Sequence, residues 1–183
     1  FSEKVQKSPI FLEPMHHCDD LIRLFNQLFQ ESEQTILVGY ADEPLYLPKD
    51  ENSEFHRVIF TKDYFASALH EIAHWCIAGK QRREEVDYGY WYYPDGRSST
   101  QQKSFELVEV KPQALECIFS EAAGFQFRVS QDNLNGEISP SDNTFENKVK
   151  EQARLYRMSG MPKRARIFYD ALERAYQLEN NPA

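Results

Sequence analysis

"LHEIAHWC", residues 69–76, is the stretch on which the reading of this chain turns. It sets His70 and His74 four apart, with Glu71 directly after the first histidine. On an α-helix, side chains four residues apart differ by only about 40° in direction, so both imidazoles can reach one metal ion. Chance produces this pattern on the order of 0.01 times in a chain of this length and composition. The plainer alternative is a pair of core histidines satisfied by backbone acceptors. Burying two imidazoles and a carboxylate on a largely apolar helix costs several kcal/mol unless something pairs with them. Thr61 or Asp63 can cap such a helix, which should run to about Ala78 and stop at Gly79 and Lys80. Phe65, Leu69, Ile72, Ala73 and Cys76 form one stripe flanked by Ala and Ile, so the helix is expected to be buried on several sides.

Two histidines leave a catalytic metal one protein ligand short, and no histidine follows His74. The third ligand should therefore be a carboxylate further along the sequence. Glu106, Glu109 and Glu116 in "FELVEVKPQALE", residues 105–116, are the candidates. Glu109 is preferred, because a helix break expected at Pro112 would let its side chain be aimed inward. The other two are then solvated carboxylates or partners of the ligands.

The rest of the sequence sets the context. With 183 residues, 41% hydrophobic and 27% charged, it has the composition of a soluble globular protein able to bury a core. Residues 1–14 read as an N-terminal extension or expression remnant, and 15–183 as a single catalytic domain. No apolar run approaches the ~20 residues of a membrane span, and the first residues lack a signal-peptide core, so a cytoplasmic protein is expected. Cys18, Cys76 and Cys117 lie far apart, which suits free thiols and excludes a cysteine zinc site. A net charge of −8 argues against general nucleic-acid binding and favours a cationic substrate.

"DDLIRLFNQLFQ", residues 19–30, has helical apolar spacing, and "TILVGY", "PLYLP" and "HRVIFT" read as short strands. "VDYGYWYYPDG", residues 86–96, reads as an aromatic strand entering a turn at Pro94, Asp95 and Gly96. Ser99 with Gln102 suggests a capping box for a short helix ending before Pro112, where a second helix starts and runs to Ala123. Residues 130–144 read as a polar loop. Helices over about 145–158 and 162–178 finish the sequence. "HCD" at 17–19 matches half of an oxygenase triad but sits at a helix start, and is read as accidental. The basic runs "QRREE" and "KRARIF" are read as solvated faces, or else as docking patches for an acidic protein or RNA.

"DEPLYLP", "FASALHEIAHWCIAGKQRRE", "VDYGYWYYPDGR" and "VEVKPQALE" together resemble the elongation factor P hydroxylase family, over about residues 16–175. The resemblance implies a non-haem iron site of His70, His74 and, through the "VEVK" block, Glu109. It also implies hydroxylation of the modified lysine of elongation factor P after that lysine has received a lysyl group, the last step of the modification, with dioxygen as co-substrate. An open two-histidine, one-carboxylate site suits such chemistry. Asp42, Glu43, Asp87 and Asp95 could steer the cationic substrate. No direct nucleic-acid or membrane partner is expected. HExxH alone suggests instead a zinc metalloprotease with Glu71 as general base. A non-catalytic metal-stabilised module would need a fourth protein ligand, which the sequence does not offer. Histidine and carboxylate accept zinc as readily as Fe(II), so the spacing does not choose the metal. The expected fold is α+β and zincin-like, with the HExxH helix on a small mixed or antiparallel sheet and a helical C-terminal part.

Overall fold

The structure is a computed structural model that describes residues 16–90, 96–130 and 143–180. Its described elements run α1 Cys18–Phe29, β1 Thr35–Ala41, β2 Leu45–Leu47, β3 His56–Thr61, α2 Phe65–Ile77, α3 Ser99–Ala122, α4 Thr144–Ser159 and α5 Lys163–Asn180. The fold is α+β, with a small mixed sheet. β3 is central, parallel to β1 and antiparallel to β2. Alternation along β3 buries His56, Val58 and Phe60 on one face. Leu37 and Tyr46 join them from the flanking strands, and α1 and α2 pack on the sheet.

α2 is enclosed on nearly every side, because α3 packs against it as well as β3. Ala68, Leu69, Ile72, Ala73 and Trp75 have no solvent exposure. Trp75 lies edge-on to Phe25 and Phe29, with ring centroids 5.0 and 4.8 Å away. The Arg164 guanidinium covers the same ring at 4.4 Å and donates to the carbonyls of Cys76 and Ala78 at the C-terminal end of α2. That arginine belongs to "KRARIF", so one member of this basic run is a structural cap rather than a solvated charge. Among the described residues no helix is long and apolar enough to cross a membrane.

The structure departs from the sequence expectations at four places. The first is the start of α2, where neither Thr61 nor Asp63 caps the helix. Tyr64 occupies the N-cap position with no side-chain bond, and the Ser67 hydroxyl reaches back to accept from the Thr61 N–H at 3.0 Å. In α3 the capping box is one residue earlier than expected, formed by Ser98 and Gln101. Gln102 is drawn inward instead, accepting from Arg97 Nε at 2.9 Å.

Pro112 does not break this region: α3 is continuous from Ser99 to Ala122. An internal proline costs about 3 kcal/mol through its missing N–H and ring clash. Packing of α3 against α2, α4 and α5 outweighs that local preference.

The largest departure is at Val86–Tyr90, which forms a tight turn rather than a strand. Asp87 and Tyr88 both have left-handed backbones, at φ 49° and 61°. The turn covers the edge of the sheet, where Asp87 Oδ1 accepts the outward N–H of Tyr46 at 2.9 Å and Tyr88 stacks on the Tyr46 ring at 4.3 Å. Residues 91–95 and 131–142, with part of the expected aromatic strand and most of the polar loop, lie outside the described residues.

Left-handed backbone costs non-glycine residues about 1–2 kcal/mol each, with Asp more tolerant than Tyr. Asp87→Ala should therefore lower unfolding stability by about 1–3 kcal/mol in urea titration. Asp87→Asn, which keeps both the acceptor and the backbone tolerance, should lose less than half of that.

Candidate metal centre

His70 and His74 stand one turn apart on α2 and face a polar stripe on α3. Glu109, Gln113 and Glu116 occupy that stripe at i, i+4 and i+7, and all three are buried. His74 Nε2 lies 2.8 Å from Glu109 Oε1, His70 Nε2 lies 3.4 Å from Glu109 Oε2, and the two ring nitrogens are 3.1 Å apart. Ligand atoms each about 2.1 Å from a common ion are separated by about 3.0–3.4 Å. Each of the three groups thus offers a donor atom within 4.8 Å of the others', the proximity a His/His/Glu metal site needs.

The surrounding groups fix the orientation of these side chains. Glu116 Oε2 sits 2.7 Å from His70 Nδ1, which ties down one ring nitrogen and turns the other toward His74 and Glu109. Such a carboxylate holds the tautomer and raises ligand basicity. Gln113 Nε2 donates to Glu109 Oε2 at 3.2 Å and to the Ser130 carbonyl at 2.6 Å, while the Gln113 side-chain oxygen accepts from the Ser130 N–H at 3.0 Å.

Electrostatics follow from this enclosure. Burial pulls the His70 pKa down, but the charges of Glu109 and Glu116 outweigh it and push the ring up to about 10. Burial raises the Glu109 carboxyl, and the opposing charges of His74 and His70 hold it down at about 2. Burial dominates at Glu71 and raises its carboxyl.

The cluster opens into a cavity of about 300 Å³, whose walls include Glu71, Asp87, Tyr88, Tyr90 and Val108. Tyr88 is held between Tyr46 and the His74 ring, which lies 6.5 Å away and nearly parallel. The Tyr88 hydroxyl is buried with no hydrogen-bond partner among the described residues.

Comparison with known proteins gives this geometry a family. The sequence profile described as elongation factor P hydroxylase matches residues 24–183. A curated relative from Haemophilus influenzae named elongation factor P lysine hydroxylase is 48% identical over 167 residues, 91% of this chain and 93% of its own. The chain belongs to the elongation factor P hydroxylase family. The matched region of this family member contains the whole His70, His74, Glu109 and Glu116 cluster.

Of the three carboxylate candidates, the structure brings Glu109 to both histidines and Glu116 to the back of His70. Glu106 is half-buried and outside the cluster. Among the proposed steering acids only Asp87 lines the cavity. Asp42 pairs with Lys62, Glu43 is exposed, and Asp95 lies outside the described residues. "HCD" is a helix start, with His17 exposed and Asp19 accepting from the Tyr40 hydroxyl at 2.6 Å. Cys18, Cys76 and Cys117 are free thiols. Sequence reasoning missed Gln113, which the i, i+4, i+7 polar spacing of Glu109, Gln113 and Glu116 in an otherwise apolar helix segment could have exposed. It read Tyr88 as part of an aromatic strand, more a sheet-core residue than a wall for an aliphatic cation, whereas Tyr88 lines the cavity.

A folded-state pKa above the unfolded value stabilises the fold below about 6.5, and that stabilisation is lost as pH rises through about 10. In metal-free protein, NMR titration should accordingly place the His70 ring well above an ordinary histidine. Glu116→Gln should lower its midpoint, while an ordinary midpoint in the parent protein would contradict the pairing.

Proposed function

We propose that this protein hydroxylates the lysine of elongation factor P that already carries a lysyl group, completing that modification in the cytoplasm. The observation that carries the reading is the convergence of His70, His74 and Glu109, donors on two buried helices of a family member, on one point beside a cavity. In this reading they are the protein ligands of Fe(II), and the arrangement of α2 against the sheet is zincin-like. Zinc can occupy the same donors on purification.

Bound iron would supply the activation of dioxygen, with one oxygen atom entering a C–H bond of the modified lysine and the other leaving as water with two electrons and two protons from an external donor. The protein's own residues bind and position. Three protein ligands would leave a bound metal with coordination positions for dioxygen and substrate. Glu116 would keep His70 turned to the metal, and Gln113 holds Glu109 in place. The Tyr88 and Tyr90 rings give the aliphatic stem of the extended lysine an apolar wall, and Asp87 gives its ammonium groups opposite charge. Burial raises the Glu71 carboxyl, which suits it to hold a proton at the cavity wall.

The test is the intact mass of lysylated elongation factor P after aerobic incubation with Fe(II)-loaded protein and a reductant. A gain of one oxygen atom, lost in His74→Ala, is expected. No gain, together with cleavage of a general peptide by the zinc form, would overturn the reading in favour of a metalloprotease. Glu116→Gln should weaken metal affinity about 10- to 100-fold in competition with a chelator. Glu71→Gln should keep one metal per protein molecule and lower kcat by about tenfold or more, and an unchanged kcat would remove Glu71 from the catalytic residues.

A further inference from the structure

A second cavity of about 560 Å³ adjoins the one beside the histidines, and His74, Tyr88, Tyr90 and Val108 line both. The two differ in charge. The cavity at the histidines is lined by Glu71, Asp87 and Glu109 with no lysine or arginine, whereas the second is lined by Lys80, Arg82 and Lys111 with no acid. This happens on a protein of net charge −8, so these cations are a local reversal of its overall sign.

The three cations are not equivalent. Arg82 is committed to the wall, donating to the Tyr88 carbonyl at 2.9 Å and stacking over Tyr90 at 4.1 Å. Lys80 and Lys111 are exposed, and neither ammonium has an ion pair or hydrogen bond among the described residues. Beside them, Leu107 is 76% exposed, one helical turn before Lys111. Leu107 and Lys111 also line an adjoining groove whose other walls include Lys148, Glu151 and Leu155.

We infer that the mouth of this second cavity is a docking surface for an acidic folded protein, the carrier of the target lysine; the inference rests on the function proposed above. An exposed apolar side chain flanked by two unpaired cations has the anatomy of a protein interface, with an apolar centre and a charged rim. A small anion would call for buried, convergent donors, and the one arginine present is already engaged. The neighbouring charges also give specificity. A free cationic peptide meets like charge at Lys80 and Lys111, beside the acid-lined cavity. A lysine presented by an acidic surface has that repulsion neutralised by its own neighbours.

The experiment measures Kd for lysylated elongation factor P by biolayer interferometry, and KM and kcat for its hydroxylation, with the metal-loaded full-length protein. The Lys80→Glu/Lys111→Glu double variant should weaken Kd and raise KM about tenfold, with metal content unchanged, and wild-type binding should weaken as salt rises. Leu107→Ser should weaken Kd about fivefold. Lys49→Glu, which changes net charge away from the mouth, should bind as wild type does. Lys80→Gln/Lys111→Gln, a milder pair, should show an intermediate loss and covers the case in which charge reversal prevents folding. Wild-type affinity in the glutamine pair and in Leu107→Ser would overturn the docking surface alone. A fall in kcat with Kd unchanged would overturn it in favour of a small anionic co-substrate. No measurable affinity of the wild type for elongation factor P would overturn the surface and the proposed function together.

Discussion

Two imidazoles and two carboxylates share a buried space between α2 and α3, and the arrangement is tolerable only because each charge has a partner there. Glu109 faces both histidines and Glu116 takes the far nitrogen of His70. Unpaired, any one of these groups would cost several kcal/mol in such surroundings. Much of the remaining architecture serves to keep the two helices at this distance. Trp75 anchors α2 against α1, Arg164 closes its C-terminal end, and α3 continues unbroken through a proline. The stripe carrying Glu109, Gln113 and Glu116 is thereby presented as one rigid row.

The turn at Asp87 and Tyr88 belongs to the same design. Its left-handed backbone places an aromatic wall against His74 and also shields the exposed edge of the sheet. Strain of this kind persists where neighbouring structure over-determines it, and it recurs at ligand sites. Here a hydrogen bond to Tyr46, 41 positions earlier in the sequence, supplies that constraint. The cavity wall and the sheet edge are therefore coupled, and loosening one loosens the other.

The strands, α1, α2 and the two C-terminal helices were legible in the sequence because their apolar periodicity is strong and local. So was the histidine pair, whose spacing is meaningful only on a helix. The third carboxylate was narrowed to Glu106, Glu109 and Glu116, and spacing alone could not rank them, since all three lie on one helical segment and only the facing helix distinguishes them. The reason given for Glu109, a break at Pro112, was wrong even though the structure brings that residue to the histidines. Continuous helix sets the Glu109 to Glu116 spacing at two turns, and this lets one carboxylate face both histidines while the other backs His70. The Tyr88 turn was illegible because its conformation is imposed by a partner distant in sequence, against the β preference of its aromatic residues.

In the proposed reading, α2 and α3 together, rather than the HExxH segment alone, would hold the metal. Metal content of purified protein reconstituted with Fe(II) under anaerobic conditions tests it most directly, comparing wild type with Glu109→Ala and Glu106→Ala. One metal per protein molecule in the wild type and in Glu106→Ala, with none retained by folded Glu109→Ala, is the expected result. Full metal occupancy in Glu109→Ala would contradict it.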